Sequence, residues 1–329
     1  MEKKYCVYCG KKEEYSKDIL IRRYEGKEYS FDVSLEVPYC NNCHFPILTN
    51  EIENKYTELA NNKIREAKNI ISRDEIVDII DSYAVSQKNL SRMLGWGEIT
   101  LTRYVNKGFT PSFENSNKLR MLKNPYVFLE YYNKFVFSND STKAKTLKCL
   151  DGEFEKIEKE NGKIFTVINW FLKNSSEETP ITHLAMQKLL YFSQSWSKIL
   201  TGEWMFEDSC QAWVHGAVYP EIYKYFSWFG YKKLPMMIER KNMLSSQELK
   251  VLEFIKTYYF DVYNAKALEK LCHNEEPFIN ARMGLQPKEV SQRIIDRNDI
   301  YNYYSKISQK YNIDFEHENN VKKYLNSII

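Results

Sequence analysis

Two Cys-x2-Cys pairs, Cys6/Cys9 and Cys40/Cys43, place four thiols within the first 43 residues. Thiolates are soft ligands, and two such pairs separated by thirty residues have the spacing of a closed tetrahedral zinc site. Cys149, Cys210 and Cys272 stand alone, so the thiol chemistry is concentrated at one end of the chain. A redox Cys-x-x-Cys is the competing reading, but it needs one pair at a helix N-terminus rather than two pairs joined by a hairpin. Zinc deamination is excluded, because it needs a His-x-Glu ahead of Pro-Cys-x-x-Cys and the first histidine here is His44. Four thiolates leave the metal no open position, so the expected cofactor is a structural Zn2+. His44 could replace a thiolate and is read as a bystander.

The elements between the pairs must bring them together. Tyr29, Phe31, Val33, Leu35 and Val37 alternate with polar residues, the period of a half-buried strand. Ile19 to Glu25 is its expected partner and Gly26-Lys27 the expected turn, so a hairpin delivers the second pair to the first. Gly10 follows Cys9, where a tight knuckle favours a residue that tolerates positive φ.

Short helices follow. Residues 51–73 read as a polar helix, and Asp74 to Tyr83 as one with an apolar face of Ile76, Val77, Ile79 and Ile80. Ser86 caps a helix through Leu90 and Leu94, Gly95-Trp96-Gly97 breaks it, and a second helix spans about Glu98 to Asn106. Thr110-Pro111-Ser112 opens another, containing Leu119 and Leu122. The formal charge of the 329-residue chain is only +3, yet residues 84–124 hold seven basic and two acidic side chains. Short helices, a glycine turn and a local basic surplus predict helix-turn-helix DNA binding, weighed against a small helical bundle with a solvated basic face. In that geometry Glu98, Ile99, Thr100, Thr102 and Arg103 face the groove, and Gln87, Lys88, Ser91 and Lys107 the backbone. Arg103 suits a bidentate contact to guanine.

The cysteine pattern followed by SQKNLSRMLGWGEITLTRYVNKGFTP resembles the MqsA-type antitoxins, over about residues 1–135. The resemblance implies Cys6, Cys9, Cys40 and Cys43 as zinc ligands, an Xre-type five-helix domain with Gln87 and Ser91 in its first helix, and Arg103-Tyr104 in its recognition helix. It departs at Ile99, where the family member with the best-understood operator reading has an Asn; Asn can read adenine and Ile cannot, so a different operator sequence is expected.

Residues 138–163 are polar and charged and read as a connector, helical in part. Hydrophobic periodicity returns at Ile164, Val167, Ile168, Phe171 and Leu172, and a core helix explains most of ITHLAMQKLLYFSQSWSKIL. His215-Gly216, Tyr219-Pro220 and Glu276-Pro277 interrupt later apolar patterns with turn formers. From about residue 164 the chain resembles the Panacea, or SocA-like, antitoxin domain. The marks are Gln187-Lys188-Leu189-Leu190-Tyr191, Gln194 with Trp196, Ala212-Trp213, His215-Gly216-Ala217-Val218-Tyr219-Pro220 with Glu221 and Tyr223, and His273 with Glu276-Pro277-Phe278. Ala217 stands where the family commonly has Pro. The resemblance implies a helical domain that neutralises a protein toxin by binding it. Lys188, Tyr191, Trp196, Trp213 and Tyr223 are candidates for the contact surface; each is also a candidate core residue, and burial is the expectation for the tryptophans.

No phosphate loop, His-Glu-x-x-His, Gly-x-Ser-x-Gly or Gly-x-Gly-x-x-Gly is present. Cys272-His273 are neighbours on a helix and point apart, and His215 reads as a hydrogen-bonded structural histidine, so no enzyme is expected. The charged opening MEKKYCVYCG predicts no signal peptide, and no apolar run approaches the roughly 20 residues a bilayer requires. A cytoplasmic location without membrane contact follows as an expectation.

The expected architecture is mainly α and multidomain: a zinc-bound β-hairpin module over 1–50, a helix-turn-helix domain over 51–137, a linker over 138–163 and a Panacea-like domain over 164–329. The expected function is that of an antitoxin which binds a toxin encoded by the adjacent gene and represses their operon at operator DNA, where paired half-sites favour a homodimer. The alternative is a stand-alone zinc-containing regulator whose C-terminal domain senses a ligand or a protein.

Overall fold

The computed structural model describes residues 3–26, 29–240 and 244–328. The chain divides into two compact units, Met1–Lys123 with Phe137–Thr146, and Asn124–Val136 with Leu147–Ile329.

In the first unit β1 (Lys3–Cys6), β2 (Lys11–Gly26) and β3 (Tyr29–Cys40) are antiparallel, and β2 changes partner along its length. Its first residues pair with β1, Cys6 facing Lys11, and from Tyr15 onward it pairs with β3, Tyr15 facing Cys40. Both cysteine pairs are thereby brought to one end of the long hairpin. Lys27 of the expected turn lies outside the described residues.

The period-two pattern is visible in burial: Val33 and Val37 are enclosed, while Asp32, Ser34 and Glu36 face water. What covers them is α1 (Asn50–Ala67), whose Tyr56 and Ala60 complete the cluster. The leading helix expected to be polar thus packs on the sheet through its apolar stripe. Arg22 fixes the pairing with a bidentate ion pair to Glu53 at 2.6 and 2.7 Å, its guanidinium 4.3 Å from the Tyr56 ring centre.

Four helices follow in this unit, α2 (Arg73–Ser82), α3 (Gln87–Met93), α4 (Thr100–Asn106) and α5 (Phe113–Met121). Ser72 caps α2 in a capping box with Glu75, and Ser86 and Ser112 cap α3 and α5. Ile76, Ile79, Leu90, Leu101, Val105, Leu119 and Leu122 form their shared interior. Gly95, at φ 73°, lets the chain reverse between α3 and α4.

The second unit contains α6 (Pro125–Lys134), most of α7 (Asp140–Asn161), α8 (Lys163–Lys173), α9 (His183–Thr201), the ribbon β4 (Gln211–Trp213) and β5 (Gly216–Val218), and α10 (Pro220–Phe226). It continues through α11 (Ser246–Ile255), α12 (Ala265–His273), α13 (Glu276–Ala281), α14 (Arg297–Tyr311) and α15 (Val321–Ile328). The segment expected as a connector is α7, a 22-residue helix that buries Leu150, Phe154 and Ile157. These three apolar residues at helical spacing were hidden in the sequence by the charged face around them. Helix α9 is the axis, packed by α8, α10, α11, α12, α14 and β5. No described helix is long and apolar enough to cross a membrane.

Candidate functional site

Cys6, Cys9, Cys40 and Cys43 have all four sulfur atoms within 4.8 Å of one another. Cys6 Sγ lies 3.5 Å from Cys43 Sγ, and Cys9 Sγ 3.8 Å from Cys40 Sγ. A tetrahedron of sulfurs around a metal at about 2.3 Å has edges of about 3.8 Å, so the thiols are already at the spacing a zinc ion requires. They are far beyond the roughly 2.05 Å of a disulfide.

Both knuckles have the same backbone. Gly10 N–H donates to Cys6 O at 3.0 Å with φ 65°, and His44 N–H donates to Cys40 O at 2.8 Å with φ 55°. His44 therefore occupies in the second knuckle the place of Gly10 in the first; its ring is outside the thiol cluster and exposed. The Cys43 backbone N–H draws the Cys40 thiol down to about 7. The Phe45 N–H favours the Cys43 thiolate, yet burial and the neighbouring thiols carry that group up to about 12. Crowded thiols resist joint ionisation, and a dication is the natural counterweight. Asn42 Nδ2 donates to Cys9 Sγ at 3.4 Å. The four cysteines could hold a metal ion, and the set is closed.

The residues expected to face DNA lie on α3, α4 and the turn between them. Glu98, Arg103 and Lys107 are exposed, Thr100 and Thr102 half-buried, and Ile99 exposed at the N-cap of α4. Gln87 is half-buried, and Lys88 forms an ion pair with Glu98 at 2.9 Å. Ser91 is a correction: it is fully enclosed, and its Oγ accepts the Leu101 N–H at 3.2 Å, so it joins α3 to α4 and reaches no phosphate.

In the second unit α9 is buried on every side, a position that ordinarily demands an apolar helix. Its polar residues survive there because each is consumed. Gln187 Oε1 accepts the Tyr219 N–H at 2.8 Å, and Gln194 Oε1 accepts the Met205 N–H at 2.7 Å. Lys188 Nζ donates to Ala217 O at 2.7 Å, and burial pulls its ammonium down to about 8. Tyr191 OH donates to Glu275 Oε2 at 2.8 Å, and Trp196 Nε1 to Tyr259 OH at 2.7 Å. Burial pushes the Glu275 carboxyl up to about 7, opposed by the hydroxyls of Tyr324, Tyr191 and Tyr304.

Lys188, Tyr191 and Trp196 are each wholly enclosed, so three of the five residues suggested for a contact surface are internal fasteners. The other two come together. Trp213 and Tyr223 have ring centres 5.0 Å apart, Trp213 half-buried and Tyr223 exposed. Sequence reading missed the chain beside them: Ile279, Met283, Val290 and Ile294 are exposed on a segment that Arg282 and Arg293 tie to Ala212 of β4. Five large apolar residues without periodicity over 279–294, Leu285 among them, were the available signal. His215 Nδ1 lies 3.0 Å from Glu269, as a hydrogen-bonded histidine should.

Residues 186–278 match the family model described as antitoxin SocA-like, Panacea domain. The second unit thus carries a Panacea-like region that includes most of α9. Antitoxin SocA of Caulobacter vibrioides (strain NA1000 / CB15N) is 34% identical over 73 residues, 22% of this chain and 39% of the relative's length. No solved structure matches the chain. The matched range runs from within α9 to Phe278 and contains both the internal fasteners and the Trp213–Tyr223 pair.

Proposed function

We propose that the protein is the antitoxin of a toxin–antitoxin pair, that its Panacea domain neutralises the toxin by direct binding without catalysis, and that its N-terminal unit represses the operon. The observation that carries the reading is the SocA-like match over 186–278 together with the adjoining rings of half-buried Trp213 and exposed Tyr223 within it. Aromatic anchors beside apolar surface are the composition of binding hot spots. The exposed Ile279, Met283, Val290 and Ile294 extend the apolar area available to a partner.

The N-terminal unit is read as an MqsA-like zinc module followed by an Xre helix-turn-helix, with Zn2+ held by Cys6, Cys9, Cys40 and Cys43. Support comes from the tetrahedral sulfur spacing and from the α3–turn–α4 hairpin that leaves Arg103 and Lys107 exposed. Arg103 is the residue assigned to a base edge, with Lys107 on the phosphates. A cytoplasmic, dimeric repressor is the form this reading takes. Co-expression with the product of the neighbouring gene tests it: growth arrest by that product alone and rescue by this chain are expected. A stand-alone regulator would rescue nothing.

A further inference from the structure

Arg65, in the last turn of α1, is a charged side chain left without a counterion. It is only 7% exposed, its Nη2 donates to Phe109 O at 3.1 Å, and its Nε is enclosed with no hydrogen-bond partner. No carboxylate pairs with it among the described residues, and burial together with the Arg73 charge presses against its protonated state. An uncompensated buried guanidinium costs several kcal/mol, so a site that retains one is complete only with an anion.

The surroundings are built for one. Arg65 lines a hollow of about 1240 Å³ in the first unit, with Arg73, Lys107, Arg120, Asn61 and Asn69. Arg73 Nε donates to Val105 O at 2.7 Å and Arg120 Nη1 to Asn69 O at 2.6 Å, so both guanidinium groups are held in place by carbonyls. Of the acidic groups on the wall, Glu75 is engaged by Lys123 and the Ser72 N–H, Asp74 forms a long, exposed ion pair with Arg73 Nη1 at 3.8 Å, and Glu58 and Glu66 are exposed and screened by water. The N-terminus of α2 is closed by its own capping box, leaving the arginines as the donors.

We propose that this hollow binds a phosphate-bearing anion, anchored by the buried Arg65 and steadied by Arg73. Guanidinium groups present paired donors that match phosphate oxygens, which makes this oxyanion the chemical class of choice. The anion is either a free phosphate compound or the backbone of DNA, and the proposal does not depend on the antitoxin reading.

The test uses the full chain in two arms. Inorganic phosphate is titrated against a sodium chloride series of equal ionic strength, followed by calorimetry and thermal shift. A fluorescein-labelled mixed-sequence duplex is titrated by anisotropy. Saturable binding of phosphate identifies a free anion; a response confined to the duplex identifies the DNA backbone. In either case Arg65→Met and Arg73→Gln weaken binding about tenfold or more. Arg73 is largely exposed, so Arg73→Gln retains the fold even where Arg65→Met does not. A wild-type chain that responds to neither probe, or an Arg73→Gln variant that binds both as wild type does, overturns the proposal.

Discussion

Gly216 shows how tightly the Panacea-like region is closed. It sits at φ 92°, and a Cβ there would lie 2.8 Å from Lys188 Cε and 2.9 Å from Lys188 Nζ. Gly216→Ala therefore forces both backbone strain and displacement of a buried lysine, a loss on the order of 2–3 kcal/mol, read as a lower urea midpoint for the C-terminal unit. At the other end of the chain His44 adopts φ 55°, the conformation that Gly10 takes at 65° without penalty. His44→Gly is expected to stabilise the cysteine module by about 1 kcal/mol, seen as a raised thermal midpoint. Gly10 was legible in the sequence because its residue type announces the conformation. His44 was not, although it follows Cys43 as Gly10 follows Cys9; the knuckle repeat was the clue.

Helices and strands were legible wherever a single face is buried. The alternation along β3 and the starts of α3 at Ser86 and α5 at Ser112 appear at the expected residues, because periodicity and caps are local physics. Where burial is complete that logic fails. Lys188 and Tyr191 carry groups normally found at surfaces, and only the tertiary positions of Ala217 and Glu275 show them to be internal, whereas Trp196 is buried as expected of a tryptophan. The same network gives α9 and its neighbours a pH dependence. Glu275 receives hydroxyls from Tyr191, Tyr304 and Tyr324, and burial raises its carboxyl from 4.5 to about 7. A raised folded-state value means the folded chain holds the proton more firmly, so this contribution is complete below about 4.5 and is lost as pH rises through about 7. Glu275→Gln removes the titration; comparing its urea midpoints with wild type should show the variant's relative stability improving from pH 5 to pH 8. A constant offset across that range would place the carboxyl's titration elsewhere. On α4, Arg103→Ala is expected to cost roughly 1–3 kcal/mol at a specific operator, measured by anisotropy.

The whole molecule is two units with different sources of stability. Residues of the second surround α9 with a large aromatic interior, while the cysteine end of the first encloses only Cys6, Cys40 and Ile47 in its cluster. A metal held by the four cysteines would reinforce so small a cluster, since such ions supply apparent folding free energy on the order of 10–16 kcal/mol in comparable peptide sites. A strong chelator should therefore melt the β-module first, followed by hydrogen exchange over residues 3–26 and 29–40, with α9 still protected. The most direct measurement of the central claim is co-purification of tagged wild-type chain and of a Trp213→Ala, Tyr223→Ala double variant with the product of the neighbouring gene, alongside rescue of growth. The account predicts a stable complex and rescue with wild type, chelator-resistant, and loss of both with the double variant while its α9 exchange protection is unchanged. Rescue and capture undiminished in the double variant, or no capture by the wild-type chain, would contradict it.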